Sequence, residues 1–228
     1  MKKLFDQYDL CYFDADAVGK RSYLSDFVDP SAISLGRKAV DELIDSLDLS
    51  DFSASFCLRV FQSVGGLWFL LPTSTGGKYH GGVLSVENCI GGNIVHTKNV
   101  VGMVPKVLNR YRELCNNTGQ EYLCFREVLT CACLLHDIGK SGLKGDEVYS
   151  CSDHGEIGAS IISDCWSKGD YKSSCSFNFF IDSLLFAVQE HMYMWRGINY
   201  LDRVLVDGKI SASVIISMML CECDYFSF

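Results

Sequence analysis

Val128 to Leu135 is apolar except for Thr130, and Cys131, Ala132 and Cys133 within it are small. With the pattern leading into it, this run predicts a buried helix from about Tyr122 to His136. His136 and Asp137 follow where that helix should reach the interior. Gly139 then supplies a stop and Lys140 a last-turn cation. Upstream, Ala39, Val40, Leu43, Ile44 and Leu47 recur at helical spacing after Asp29-Pro30-Ser31, a start signal. A second helix is expected from about Ser53 to Val64, with Phe56, Val60 and Phe61 on its apolar face and Gly65-Gly66 after it. A long helix should begin near Asn93, with His96, Val100, Val104 and Val107 on one face and Pro105 kinking or splitting it. Downstream, Asp153 and Glu156 have capping-box spacing ahead of a helix carrying His154. Further helices are expected from about Phe177 to Met192 and from Ser211 to about Asp224.

These periods predict an all-α protein, with residues 1–66 a helical N-terminal extension packed on a core of residues 67–228. The extension carries no recognisable chemistry. Between the two, the apolar Leu67-Trp68-Phe69-Leu70-Leu71 leads into a glycine-rich stretch ending at Gly91-Gly92. Loops of that length are functional or are surface insertions. Lys78 is followed by Tyr79, so the stretch is not a Walker-type phosphate loop.

Composition narrows the function. Hydrophobic residues make up 48% of the 228 and only three are Pro, as in a globular, helix-rich chain. The formal net charge of −8 argues against stable binding to duplex DNA or to an anionic membrane. A small phosphate ester remains compatible, because bound divalent cations reverse the local field. There are twelve Cys, without framework spacing. The start of the chain meets charge too early for a secretory leader, so the expected compartment is reducing and cytoplasmic. Cys131-x-Cys133 and Cys221-x-Cys223 are too closely spaced for an ordinary zinc site. No apolar run reaches the roughly 18 residues of a membrane span.

Of the five His, four share one context. His96, His136, His154 and His191 fall near the ends of different predicted helices, beside apolar residues, and Asp137 and Asp224 occupy equivalent places. A single such His is most simply a core residue, but four with two carboxylates are harder to explain that way. Buried imidazoles and carboxylates need partners, and a mixed N/O set suits Mn, Fe, Co, Ni, Zn or, less well, Mg. Six side chains exceed what one small ion takes from protein and suggest two ions sharing a carboxylate.

The order His96, His136-Asp137, His154, His191, Asp224 resembles the HD-domain metal-dependent phosphohydrolases, over about residues 67–228. Leu134-Leu135-His136-Asp137-Ile138-Gly139-Lys140 is similar to that family's core motif, and Cys223-Asp224-Tyr225 to its final-helix Asp. His154 and His191 resemble the branch that binds two metals. The segment Leu71-Pro72-Thr73, Tyr79-His80 and Gly91-Gly92-Asn93-Ile94-Val95-His96-Thr97 is similar to the upstream part of HD domains in bacterial 3′–5′ exoribonucleases and relaxase-associated proteins. The resemblance implies an all-helical bundle. It implies one divalent ion on His96, His136, Asp137 and Asp224, and a second on Asp137, His154 and His191. It also implies cleavage of a phosphoester or phosphoanhydride bond of a nucleotide by a metal-activated water. Asp137 and Lys140 would be catalytic, with Lys78, His80, Lys98 and Arg196 candidates for phosphate contact. Two other functions stay open: a 3′–5′ nuclease on single-stranded RNA or DNA, and a non-catalytic nucleotide-binding sensor. The oligomeric state is not legible.

Overall fold

The computed structural model describes residues 30–73, 87, 91–118, 120–146, 151–169, 171, 175–192, 205–206 and 209–227. Helix α1 (Pro30–Asp45) and helix α2 (Asp51–Ser63) precede a 3₁₀ turn at Gly66–Leu70. Helices α3 (Gly92–Gly102), α4 (Val104–Arg110) and α5 (Arg112–Asn116) lead to α6 (Tyr122–Leu135) and a second 3₁₀ turn at Ile138–Ser141. Helices α7 (His154–Ser167), α8 (Cys175–Glu190) and α9 (Ala212–Tyr225) complete the bundle. The described core is all-helical, as expected. One addition is a two-residue antiparallel ribbon, with Leu205 opposite Ile210 and Val206 opposite Lys209. Two residues per strand carry too little alternation to be seen in sequence.

Helix α6 is the axis. Phe125, Leu129, Cys131, Ala132, Cys133, Leu134 and Leu135 along it have no exposed surface, which is why the run reads as apolar on every side. Each large aliphatic side chain so buried contributes about 1.5–3 kcal/mol. Helices α3, α4, α8 and α9 pack around it. Helices α1 and α2 share the same hydrophobic cluster, which runs from Ala39 to Cys223. Phe52 and Phe56 of α2 meet Trp166, Tyr171 and Phe180 with ring centroids 5.3–6.2 Å apart. Two helix starts are capped by serine: Ser50 Oγ accepts from Ser53 N at 3.2 Å and Ser211 Oγ from Val214 N at 3.3 Å. Each such cap is worth about 1 kcal/mol.

Of the two outcomes expected at Pro105, the helix splits: α3 ends at Gly102, and the proline sits in the first turn of α4, where its missing N–H costs nothing. One local expectation is revised. The Asp153–Glu156 capping box is not made. Asp153 has φ −104° and ψ 25° and its side chain makes no capping bond, because the bond requires an extended backbone at that position. The N–H of His154, the first helical residue, is taken by Cys151 O at 3.3 Å.

Candidate metal centre

Each of the six candidate ligands is delivered by a helix or its immediate end. His96 lies within α3; His136 caps α6 and Asp137 follows it; His154 opens α7; His191 follows α8; Asp224 lies in the last turn of α9. All are buried, the most exposed being Asp224 at 7%. Close backbone packing makes this convergence possible. Gly139, just after the His-Asp pair, lies against the start of α7, and a Cβ there would stand 2.2 Å from His154 O and 2.5 Å from Gly158 N. Any side chain at 139 would therefore push the two segments apart.

Two groups result: His96, His136 and Asp224, and Asp137, His154 and His191, with the ligand atoms in each within 4.8 Å of one another. In the first, His96 Nε2 is 3.0 Å from Asp224 Oδ1 and 3.3 Å from His136 Nε2. In the second, His154 Nε2 is 3.2 Å from His191 Nε2. Asp137 joins them. Its Oδ1 lies 3.2 Å from His154 Nε2 and 3.9 Å from His191 Nε2, while its Oδ2 lies 3.2 Å from His136 Nε2 and 3.8 Å from His96 Nε2.

The far ring nitrogens fix the tautomers. His136 Nδ1 donates to Cys133 O at 2.9 Å, His154 Nδ1 to Cys151 O at 2.8 Å, and His191 Nδ1 to Val188 O at 2.6 Å. When these rings are neutral, their Nε2 atoms are acceptors aimed at carboxylate oxygens and at one another. Acceptors facing acceptors in a buried space repel unless a cation or proton lies among them. The donor set therefore fits divalent ions, with imidazole nitrogen and carboxylate oxygen as ligands.

Asp137 is held by more than the imidazoles. Lys140 Nζ donates to its Oδ2 at 2.5 Å and to Thr73 O at 2.8 Å. Trp68 Nε1 donates to Asp137 O at 2.9 Å. The Asn93 amide, turned so that both ends are satisfied, donates to Asp137 Oδ2 at 3.2 Å. Burial pushes the Asp137 carboxyl toward protonation, but His136 and Lys140 outweigh it and hold the group well below the usual carboxylate range. Asp224 is likewise held low against its burial by the hydrogen bond from His96. His96 is the reciprocal case: burial opposes its charge, yet Asp224 and Glu87 lift it from 6.5 to about 9. Burial, reinforced by repulsion from His154 and His136, pushes His191 down to about 3.

The phosphate-contact candidates are placed less completely. Lys78, His80 and Arg196 lie outside the described residues. Lys98 is exposed, two positions after His96, which is about 200° around the helix from the imidazole. Lys140 is buried with its ammonium on Asp137 and Thr73. The hydrophobic pattern did not single out Trp68, Thr73, Glu87 or Asn93 as parts of the site. The apolar run hid Trp68, and a glycine-rich segment without period hid Glu87.

The HD domain family profile matches residues 96–225. That is more than half of the chain, so the protein belongs to the HD-domain family, within the superfamily of metal-dependent phosphohydrolases. The match starts at His96 and ends one residue past Asp224, so it spans all six candidate ligands. No curated protein and no solved structure matches the chain. Among the described residues, no helix is long and apolar enough to cross a membrane.

Proposed function

We propose that the protein hydrolyses a phosphoester or phosphoanhydride bond of a nucleotide, using two divalent ions. The observation that carries this reading is Asp137, whose two oxygens face two different imidazole groups, Oδ1 toward His154 and Oδ2 toward His136. His96, His136, Asp137 and Asp224 would hold one ion, and Asp137, His154 and His191 the other. Ions there would supply Lewis acidity, lowering the pKa of water and offsetting charge on a phosphoryl group. The protein contributes orientation. Three imidazoles are locked by carbonyl bonds with Nε2 inward, and Lys140, Trp68 and Asn93 fix the carboxylate they share. Lys140 acts first on Asp137, keeping it ionised and immobile. It would also add positive charge to the field around a phosphoryl group held by the ions. The net charge of −8 supports a small substrate over a long polyanion.

The test is a substrate screen with Mn²⁺, Fe²⁺ or Mg²⁺ over mononucleotides, dinucleotides, cyclic nucleotides and short single-stranded RNA and DNA. Asp137→Ala serves as the inactive control. Release of phosphate or nucleoside from the small substrates, lost in the control, is the expected result. Stepwise shortening of oligonucleotides from the 3′ end would favour a nuclease. Binding without turnover in every metal would identify a nucleotide sensor.

A further inference from the structure

Three of the four imidazoles hold one posture: His136, His154 and His191 each place Nδ1 on the main-chain carbonyl three residues before them. His96 is held differently. Its Nδ1 lies 3.4 Å from Glu87 Oε2, with side-chain exposures of only 1% and 5%, and 3.5 Å from the neutral Ser227 Oγ. The carboxylate is itself anchored, Oε1 accepting from Asn99 Nδ2 at 2.6 Å. The backbone at 87 is anchored too. Glu87 O accepts from Thr73 N at 2.8 Å, and a Cβ on Gly92 would stand 1.8 Å from that oxygen, so only glycine lets α3 begin there. Thr73 O in turn accepts from Lys140 Nζ, whose other bond is to Asp137.

We propose that Glu87 is a positioning residue for the ion held by His96, His136 and Asp224, fixing His96 as the Nδ1–H tautomer and strengthening its Nε2 as a ligand. The proposal rests on the metal reading above. A carboxylate behind an imidazole draws the Nδ1 proton toward itself, raises the basicity of the other nitrogen and adds negative charge near the cation. Removing such a partner costs about 10–100-fold in metal affinity. The carbonyls behind His154 and His191 carry no net charge, and the link from Glu87 to that group runs through its main chain, by Thr73 and Lys140 to Asp137, which a side-chain substitution leaves in place. Loss of Glu87 therefore acts on one binding step and spares the other.

The experiment uses the full chain, stripped with chelator and titrated with Mn²⁺ and Zn²⁺ by calorimetry and chelator competition. Glu87→Gln keeps the shape of the side chain and removes its charge. It should weaken one of the two steps by about 10–100-fold and leave the other unchanged. Asn99→Ala, at an exposed position, loosens the anchor without removing the carboxylate and should weaken the same step by less. In the Zn²⁺-loaded protein, the His96 Nδ1–H proton should resonate far downfield by ¹⁵N-edited NMR and move upfield in both variants. Wild-type affinities in both variants, or a loss shared equally by the two steps, overturn the assignment of Glu87 while leaving the metal reading intact. Failure of the wild-type chain to bind either ion overturns both.

Discussion

Lys140 Nζ stands 2.5 Å from Asp137 Oδ2, one turn along the chain, and neither side chain is more than 6% exposed. Removing one member of a buried pair leaves the other uncompensated, at a cost of about 3–5 kcal/mol. Lys140→Met is expected to lower the thermal midpoint of the metal-free protein by roughly 10 °C. The deficit should shrink with Mn²⁺ present, because bound cations replace the lost positive charge. Scanning calorimetry in chelator and in Mn²⁺ reads both effects. An unchanged midpoint in chelator would show that Asp137 does not depend on Lys140.

Asp137→Asn tests the shared carboxylate while keeping its shape. Under the two-ion reading each ion would lose a negative ligand oxygen, so both binding steps should weaken and hydrolysis should fall by about 10²–10³-fold, of the order of other lost electrostatic contacts. The far-ultraviolet circular dichroism should stay that of a helical bundle. Elemental analysis after gel filtration, beside a turnover assay, decides it. Retention of two ions with near-normal turnover would refute the bridging role.

His154→Ala separates one ion from two. With two ions, kcat should fall by orders of magnitude and activity should depend steeply on added metal. If His154 faces substrate instead, KM should rise modestly with kcat unchanged, the mark of lost uniform binding. Titrating activity against Mn²⁺ distinguishes the cases.

The elevated His96 gives a pH signature. Its folded value of about 9 exceeds the ordinary 6.5, so its stabilising contribution is complete below pH 6.5 and is lost as pH rises through 9. The metal-free protein should lose on the order of 3 kcal/mol of stability across that window. An ion at the His96 group must displace the proton, so its affinity should climb about tenfold per pH unit until near pH 9, then level. His191, held down at about 3, carries no proton to displace there. Denaturant melts in chelator and competition titrations between pH 6 and 10 would show it, and pH-independent binding at both steps would contradict it.

Gly139→Ala should loosen the centre without touching a ligand. The new methyl meets His154 O and Gly158 N, and relieving that overlap moves α7 away from Asp137. The expected cost is about 1–3 kcal/mol, with the ion at His154 and His191 weakened more than the other. Equal affinities at both steps would show that the shift bypasses His154.

The helices, and the six side chains that converge as candidate ligands, were legible because both follow strong rules. Val128–Leu135 is apolar all round and therefore central, and a His beside apolar residues on a buried helix faces inward. The capping box failed where spacing alone was read, since Asp153 has the right residue type but not the extended backbone. Glu87 stayed hidden, and Thr73 and Asn93 stood in the upstream resemblance without a role, for another reason. Their roles come from main-chain and side-chain bonds across the glycine-rich segment, which leave no period. The ribbon at 205–210 is set by local pairing too short to register. Lys140 was visible as a cation, but its engagement with Asp137 rather than solvent follows from burial that only tertiary packing imposes.

The last residues of a helix leave carbonyl oxygens without helical donors. Cys133 O near the end of α6 and Val188 O near the end of α8 take the Nδ1 protons of His136 and His191. These rings are therefore part of the helix terminations themselves, and their direction is set by main-chain bonds that do not depend on an ion. In the proposed centre, a metal lost would then leave a local vacancy in a standing frame, and its return would not wait on rebuilding the helix ends.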